Sequence, residues 1–128
     1  MIWRGELYMR LAESERRVME VLWERGTMAA KEVAIVLGER LGWKKTTTYT
    51  MLTRCAEKGY IKREDPNFRC TAMVSKEEVS CWETDALLSS DFDGSADLLV
   101  ASLIGRKKLT LAQMEKLCQS LRELEDRK

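Results

Sequence analysis

The chain has 128 residues, of which 45% are hydrophobic and 34% are charged, and this composition excludes intrinsically disordered and collagen-like proteins. Its apolar stretches are only a few residues long, as at Leu98–Ala101, which excludes a membrane-spanning helix of about 20 apolar residues. The formal net charge of +1 hides an asymmetry: residues 1–74 hold 14 Lys and Arg against 10 Asp and Glu, whereas residues 75–128 hold 8 against 11.

Three short helices are predicted in the first sixty residues, because apolar positions recur there at helical spacing. They are expected over residues 13–25, 29–37 and 45–58, and a glycine follows each of them. Residues 60–64 and 68–74 then predict the two strands of a β-hairpin, with a turn at Asp65-Pro66-Asn67.

The remaining residues predict helices only. Capping boxes at Ser75-x-x-Glu78 and Thr110-x-x-Gln113 mark the starts of two helices, and a short apolar helix is expected between them over residues 96–104. The element order predicts a mainly α protein, in which a winged helix-turn-helix of three helices and a β-hairpin wing is followed by an all-α dimerisation domain. We place the DNA-binding domain at residues 1–74 and the helical dimerisation domain at residues 75–128.

The residue types argue against an enzyme. Histidine is absent, which removes Ser-His and Cys-His nucleophiles and His-containing zinc sites. The four cysteines, at positions 55, 70, 81 and 118, form no Cys-x-x-Cys motif, and no glycine-rich phosphate loop or Gly-x-Ser-x-Gly motif is present. We expect no catalytic site, no metal site and no cofactor. The opening residues 1–10 lack the apolar core of a secretory signal, so a cytoplasmic location with reduced thiols is expected.

The third predicted helix and the hairpin have the character of a DNA-binding surface. Residues 40–69 contain eight basic and three acidic residues, a local excess typical of proteins that bind polyanions. Thr48, Met51, Leu52 and Cys55 share one helix face, so small hydroxyl residues and cations occupy the outward side. The predicted contacts to double-stranded DNA are Lys44, Lys45, Thr46, Thr47, Thr50, Arg54, Lys62, Arg63 and Arg69.

The final helix has a narrow apolar seam, since Leu111, Met114, Leu117, Leu121 and Leu124 follow one another at steps of three or four. Such a seam predicts pairing with a second copy, and an intramolecular core packed on the fourth helix is the alternative. The predicted dimerisation residues are Trp82, Leu98, Leu99, Leu103, Met114, Leu117, Leu121 and Leu124. Two other functions stay open: a winged-helix protein-interaction module, and a redox-responsive regulator that uses Cys55 or Cys70.

Several motifs resemble the BlaI/MecI/CopY family of bacterial repressors over nearly the whole chain. They include Glu15-x-x-Val18-Met19-x-Val21-Leu22-Trp23-x-x-Gly26, Thr46-Thr47, Thr50-x-x-x-Arg54 and Lys58-Gly59-Tyr60. The resemblance implies a homodimeric transcriptional repressor that binds a palindromic operator with a TACA/TGTA core, upstream of β-lactamase or related resistance genes. It also implies that Thr46, Thr47, Thr50 and Arg54 occupy the family's DNA-contact positions.

The resemblance further implies a means of release, in which a membrane sensor-protease leads to cleavage near Ser102–Leu103. Here the chain reads Ala101-Ser102-Leu103 where well-known members have a Leu-Asn-Phe run, so the inducing signal and the target genes stay open. The copper-responsive branch has paired Cys-x-Cys motifs near its end, whereas this chain has only Cys118 there. Copper sensing by that mechanism is therefore not expected.

The starts of the first two helices depart from the family pattern. Members commonly have Ser or Thr three residues before the glutamate, whereas Ala12 precedes Glu15 and Ala29 precedes Glu32 in this chain. Each missing hydroxyl is expected to cost about 1 kcal/mol of stability at the helix start.

Overall fold

The computed structural model describes residues 11–127, so the expectation about a secretory signal in residues 1–10 lies outside the described residues. The fold class is confirmed: helices form most of the chain, and a small sheet carries the hairpin wing. The elements in chain order are α1 Glu13–Arg25, β1 Met28–Ala29, α2 Ala30–Leu41, α3 Lys45–Glu57, β2 Ile61–Glu64, β3 Arg69–Ala72, α4 Lys76–Asp91, α5 Ala96–Gly105 and α6 Leu111–Asp126.

The sheet has three antiparallel strands in the order β1-β3-β2. The hairpin pairs Ile61 with Ala72 and Glu64 with Arg69, while Met28 of β1 lies opposite Cys70 of β3. Strand β1 was not predicted, because two residues are too few to show an alternating pattern. It ties the hairpin to the segment between α1 and α2.

Helix α2 continues past Gly38, where its end was expected, and stops at Gly42. A Cβ at position 38 would meet the Trp43 carbonyl oxygen at 3.6 Å, which is ordinary contact, and the backbone there remains helical. Gly42 instead has a φ of 68°, in the left-handed region that glycine enters without steric cost. The helix therefore ends one turn later than the apolar pattern predicts.

The core lies among α1, α2, α3 and the sheet, and it continues onto the first turns of α4. Its fully buried side chains include Val18, Met19, Val33, Leu52 and Val79. Burial of such side chains contributes about 1.5–3 kcal/mol each, the main favourable term in the folding of this part of the chain.

The chain divides into two compact units, Met1–Glu83 and Thr84–Lys128, and this division falls within α4 rather than after Val74. Val79 and Trp82 of α4 are buried in the core of the first unit. Trp23 Nε1 also donates a hydrogen bond of 2.9 Å to the Val74 carbonyl, and Arg16 Nη1 lies 2.8 Å from Glu83 Oε1. Packing thus joins the start of α4 to the first unit, while the functional boundary at residue 74 stays a prediction.

The second unit contains the end of α4, α5 and α6, and no residue of α5 or α6 is buried. Both predicted capping boxes are confirmed. Gln113 N donates to Thr110 Oγ1 at 3.1 Å and Thr110 N to Gln113 Oε1 at 2.9 Å, and Ser75 and Glu78 exchange the equivalent bonds at the start of α4.

Alanines stand at the N-caps of α1 and α2, and neither makes a side-chain capping bond. Replacing Ala29 by threonine is expected to stabilise the fold by about 1 kcal/mol, which raises the melting temperature by about 4 °C. The backbone at Ala29 is extended, at φ −71° and ψ 147°, as an N-cap requires, so a hydroxyl there can accept an amide of the first turn. Thermal melting followed by circular dichroism measures the effect, and operator affinity should not change.

Ala29→Val is the matched control, because valine has the shape of threonine without the hydroxyl. An equal rise in melting temperature for both variants would attribute the gain to packing and contradict the missing-cap explanation.

Candidate nucleic-acid interface

Helices α2 and α3 form a helix-turn-helix whose turn is Gly42–Lys44. The Gly42 N–H donates to the Gly38 carbonyl at 3.0 Å and the Trp43 N–H to the Leu37 carbonyl at 3.4 Å, so the turn satisfies the last carbonyls of α2. Trp43 is half-buried and packs against the core. These contacts fix the angle at which α3 leaves the turn.

Helix α3 has a buried face and an exposed face, as the sequence predicts. Thr48, Leu52 and Cys55 are completely buried against the rest of the unit. On the other side, the expected DNA contacts Lys44, Lys45, Thr46, Thr50 and Arg54 are exposed, and Thr47 is half-buried. Thr46, Thr47, Thr50 and Arg54 therefore share the outward side of α3, and Lys44 and Lys45 lie at its N-terminal end.

Two threonine hydroxyls of α3 bond to their own helix. Thr50 Oγ1 donates to the Thr46 carbonyl and Thr53 Oγ1 to the Tyr49 carbonyl, each at 2.9 Å. Because the hydroxyl hydrogen is engaged, each side chain keeps a hydroxyl lone pair and a methyl group for other partners. The exposed side chain of Thr50 is thus suited to accept a hydrogen bond from a base amino group or to touch a thymine methyl.

The hairpin presents its two faces differently. Ile61 and Cys70 are buried, so the residues that alternate with them, Lys62 and Arg69, belong to the outer face of the hairpin. Both side chains are exposed. Their position is consistent with the predicted role in contacting the DNA backbone.

Arg63, the third predicted wing contact, belongs to the inner face together with its partner Cys70. Its Nε lies 3.0 Å from Asp65 Oδ1, and its guanidinium carbon lies 3.7 Å from the centroid of the Phe68 ring. The alternation along β2 could have revealed this difference from Lys62. Arg63 thus contacts both Asp65 and Phe68, and the sequence did not predict either contact.

A buried ion pair joins α1 to the C-terminal end of α3. Glu15 is 2% exposed, and its Oε1 accepts hydrogen bonds of 2.8 Å from both Lys58 Nζ and the Ala12 amide. Burial by itself raises the pKa of Glu15, but the bonds from Lys58 and Ala12, with the charge of Arg54 nearby, hold that pKa below its ordinary value. Its role as an anchor of α3 was missed, since glutamate at a helix start is usually exposed.

The two thiols considered for redox sensing are unsuited to it. Cys55 is completely buried and its Sγ lies 3.7 Å from the Glu15 carbonyl oxygen; burial and the Glu15 charge raise the pKa of this thiol to about 12. Burial likewise raises the pKa of the Cys70 thiol to about 11. Because the thiolate is the form that reacts with oxidants, burial and the raised pKa values argue against redox sensing by either cysteine and favour a packing role.

The predicted dimerisation residues fall into three groups. Trp82 is buried in the core of the first unit. Leu99, Leu103 and Met114 are half-buried within the second unit, as is Ser102 at the proposed cleavage position. The others are exposed, with exposed fractions of 46–60%: Leu98, Leu117, Leu121 and Leu124.

A family model described as penicillinase repressor matches residues 11–123, almost the whole of the described chain. This chain belongs to the penicillinase repressor family. Its similarity to the BlaI/MecI repressors, noted from the motifs, is thereby confirmed. The family and the relatives below support a transcriptional repressor as its general function.

Named relatives agree with this assignment. The chain is 21% identical to the methicillin resistance regulatory protein MecI of Mammaliicoccus sciuri and of Staphylococcus aureus strain N315, over 109 residues that cover 84% of this chain and 89% of each relative. It is 26% identical over 113 residues to an uncharacterised 16.5 kDa protein from the ptsI 3′ region of Latilactobacillus sakei, covering 87% of this chain and 77% of that protein.

A solved structure shows a similar fold over 54% of this chain. The solution structure of the DNA binding domain of the repressor BlaI superposes with a TM-score of 0.50 at 25% identity, and the match covers 54% of this chain and 87% of that one. Within residues 11–127, no helix is long and apolar enough to cross a membrane. The same residues contain no cluster of Cys, Asp or Glu that could hold a metal ion.

Proposed function

We propose that the chain is a homodimeric repressor that binds a palindromic operator of the TACA/TGTA type, and that it controls β-lactam resistance genes. The proposal rests on one observation: a helix-turn-helix exposes hydroxyl and cationic side chains on α3, beside a hairpin with exposed cations on its outer face. Family membership and the similarity to MecI and to the BlaI DNA binding domain support it.

In this proposal α3 enters the major groove, and the wing contacts the adjacent backbone. The exposed threonines supply small side chains that allow close approach, and Thr50 addresses base edges through its lone pair and methyl group. Arg54 lies two turns along α3 from Thr47 and is exposed, so its fork of donors can bind guanine or phosphate. Lys62 and Arg69 contact phosphates and add affinity that depends on salt but not on sequence.

Replacing Arg54 by alanine is expected to weaken operator binding by about 1–3 kcal/mol if the guanidinium reads a base, with a smaller loss on random DNA. Band shifts or fluorescence anisotropy with a TACA/TGTA palindrome and a scrambled duplex measure both affinities. Arg106→Ala is the charge-matched control, because it removes one cation from the connector after α5 and leaves the first unit intact. Equal losses on both duplexes would make Arg54 a phosphate contact, and no specific shift at micromolar wild-type protein would refute the operator proposal.

The exposed apolar seam of α6 supports dimerisation through this helix. Leu111, Leu117, Leu121 and Leu124 are 55–76% exposed, and no residue of α6 is buried within one chain. Four leucines on one stripe of a helix leave a contiguous apolar surface, which soluble monomers rarely expose. A second copy covers it with the same stripe in an isologous contact, and the resulting twofold symmetry matches a palindromic operator.

Release by proteolysis is proposed at Ser102–Leu103, near the end of α5. This helix has ten residues, none of them buried, and helices of that length are marginal without tertiary packing. Local unwinding can therefore offer an extended segment to a membrane sensor-protease. Cleavage there separates α6 from the first unit and removes the advantage of linking two DNA-binding units.

An engineered protease recognition sequence across Ser102–Leu103 tests this mechanism. Cutting the purified dimer is expected to produce monomeric first units and to release operator DNA, with a loss of affinity of about 100-fold or more. Sedimentation and anisotropy before and after cutting measure the two changes. A cut protein that remains on the operator with unchanged affinity would contradict release by cleavage.

A further inference from the structure

A row of four side chains links the recognition helix α3 to the wing. Tyr49 of α3 and Phe68 at the end of the wing turn meet edge to face, with ring centroids 5.7 Å apart and an interplanar angle of 88°. The Arg63 guanidinium carbon lies 3.7 Å from the Phe68 centroid, and Lys45 Nζ lies 5.4 Å from the Tyr49 centroid. Each contact has the geometry of a favourable aromatic or cation–π pair.

Phe68 is held firmly at the centre of this row. Its side chain is 8% exposed, and its carbonyl accepts a 2.9 Å hydrogen bond from the amide of Ala30 at the start of α2. Its φ of 47° places a bulky residue in the left-handed region, a conformation that persists only where the surroundings impose it. The burial of the ring and the bond to Ala30 impose it here.

A cleft lies between the wing turn and the helices. Its volume is about 960 Å³, and it adjoins the start of α2 and α3, with Lys31, Tyr49, Thr53 and Arg69 among its lining residues. The pairing of β1 with β3 and the bond from Ala30 hold the wing to the start of α2, whereas the aromatic pair joins the wing turn directly to α3. Arg63 lies against Phe68 and also pairs with Asp65 at 3.0 Å.

We infer that Tyr49, Phe68 and Arg63 form a wing clasp that sets the position of the wing relative to α3. These are positioning residues: they hold Lys62 and Arg69 where both reach the DNA backbone while α3 lies in the groove. Arg63 serves the clasp rather than a phosphate of its own. The inference rests on the proposed operator binding. It adds to that proposal the residues that align the two DNA-contacting elements, α3 and the wing.

The test compares Tyr49→Leu and Phe68→Leu with wild type in the full-length chain, and Tyr49→Phe is the control that keeps the ring. Operator affinity is measured by anisotropy over a series of potassium chloride concentrations. For each phosphate that the displaced wing no longer reaches, the slope of log K against log salt should become shallower by about 0.9, and affinity near 0.1 M salt should fall about tenfold. Tyr49→Phe should match wild type in both quantities.

A readout without DNA separates the clasp from the operator proposal. Limited trypsin digestion should cut within residues 62–69 several times faster in the two leucine variants, identified by mass spectrometry, while the first unit stays folded by circular dichroism. If Phe68→Leu does not fold, the half-buried Tyr49 supplies the decisive variant. Unchanged salt dependence and unchanged wing cleavage in Tyr49→Leu would overturn the clasp. If wild type shows no salt-dependent binding, the operator proposal is overturned instead. The trypsin cleavage rates, which need no DNA, would then be the test of the wing clasp.

Discussion

Replacing Leu121 by aspartate is expected to convert the proposed dimer into a monomer and to lower operator affinity by about two to four orders of magnitude. Leu121 is 60% exposed in the single chain and stands between Leu117 and Leu124 on the α6 seam. A carboxylate at the centre of an isologous apolar contact meets its symmetry mate, so the interface acquires two unpaired like charges. Without the dimer, each winged helix binds its half-site alone.

Sedimentation velocity at micromolar concentration and anisotropy on the palindrome measure the two effects. Gln119→Asp is the matched control, since it introduces the same charge on the opposite side of α6 and should leave the dimer intact. A wild-type protein that sediments as a monomer, or a Leu121→Asp variant that still pairs, would contradict dimerisation through this seam. The monomeric variant should keep the melting behaviour of the first unit, because α6 contributes no buried residue to it.

Replacing Lys58 by methionine is expected to destabilise the first unit by about 3 kcal/mol at pH 7, because it leaves the Glu15 carboxylate buried without its ionic partner. Glu15 is 2% exposed, and its Oε2 has no hydrogen-bond partner among the described residues, so Oε1 makes all of its bonds. The loss also frees the C-terminal end of α3 from α1, and Lys58 follows this helix directly.

The pH dependence of stability between pH 7 and pH 5 should differ between the two proteins, with little change in wild type and an increase on acidification in Lys58→Met. In wild type the pKa of Glu15 is lowered, so its stabilising effect is full above the pKa of an unfolded glutamate, about 4.3, and is lost as the pH falls through the lower folded value. In Lys58→Met, the hydrogen bond and the charge of Lys58 no longer lower the pKa of Glu15. We therefore expect burial to raise this pKa above the unfolded value. Protonation then favours the folded state, and stability should increase as the pH falls from 7 to 5.

Urea denaturation at pH 7 measures the loss of stability, and its repetition at pH 5 measures whether the variant gains stability on acidification. Lys62→Met is the control, since that lysine is exposed on the outer face of the wing and should have little effect. The double variant Glu15→Gln/Lys58→Met should recover most of the stability, because it removes the buried charge as well. A loss below about 1 kcal/mol in Lys58→Met, or the same pH trend as in wild type, would refute the anchoring role.

The candidate interface shows which features the spacing of apolar residues can predict and which it cannot. The spacing of Thr48, Met51, Leu52 and Cys55 identified the buried face of α3, because the 3.6-residue repeat of a helix is a local property; Met51 alone of the four is half-buried. The same reasoning separated Thr50 and Arg54 onto the exposed face. Counting cations, however, does not distinguish Arg63 from Lys62 and Arg69, because it ignores the alternation of a strand, and the DNA contact of all three stays a prediction. The contact between Phe68 and Tyr49 joins residues 19 positions apart and leaves no periodic trace.

The boundary between the two units is a second feature that local sequence patterns do not reveal. A proline-containing hairpin followed by a capping box at Ser75 suggests that the first domain ends near Val74, and the capping box is indeed present. Nothing local reveals that Val79 and Trp82 enter the core of the preceding unit. Their apolar faces would suit an intermolecular contact equally well, and only the position of α4 against α1 distinguishes the two.

The sequence by itself determined the order of the six helices and of the two hairpin strands, the split of charge behind the net +1 and the family, since propensity, capping and composition act over a few residues or over whole segments. The tertiary structure decided which of those side chains are buried, which contact one another and which stay exposed. It buried Glu15 against Lys58, turned Arg63 onto Phe68 and left the α6 leucines uncovered. These outcomes depend on contacts between residues distant in the chain, whose energies appear only once the elements have packed.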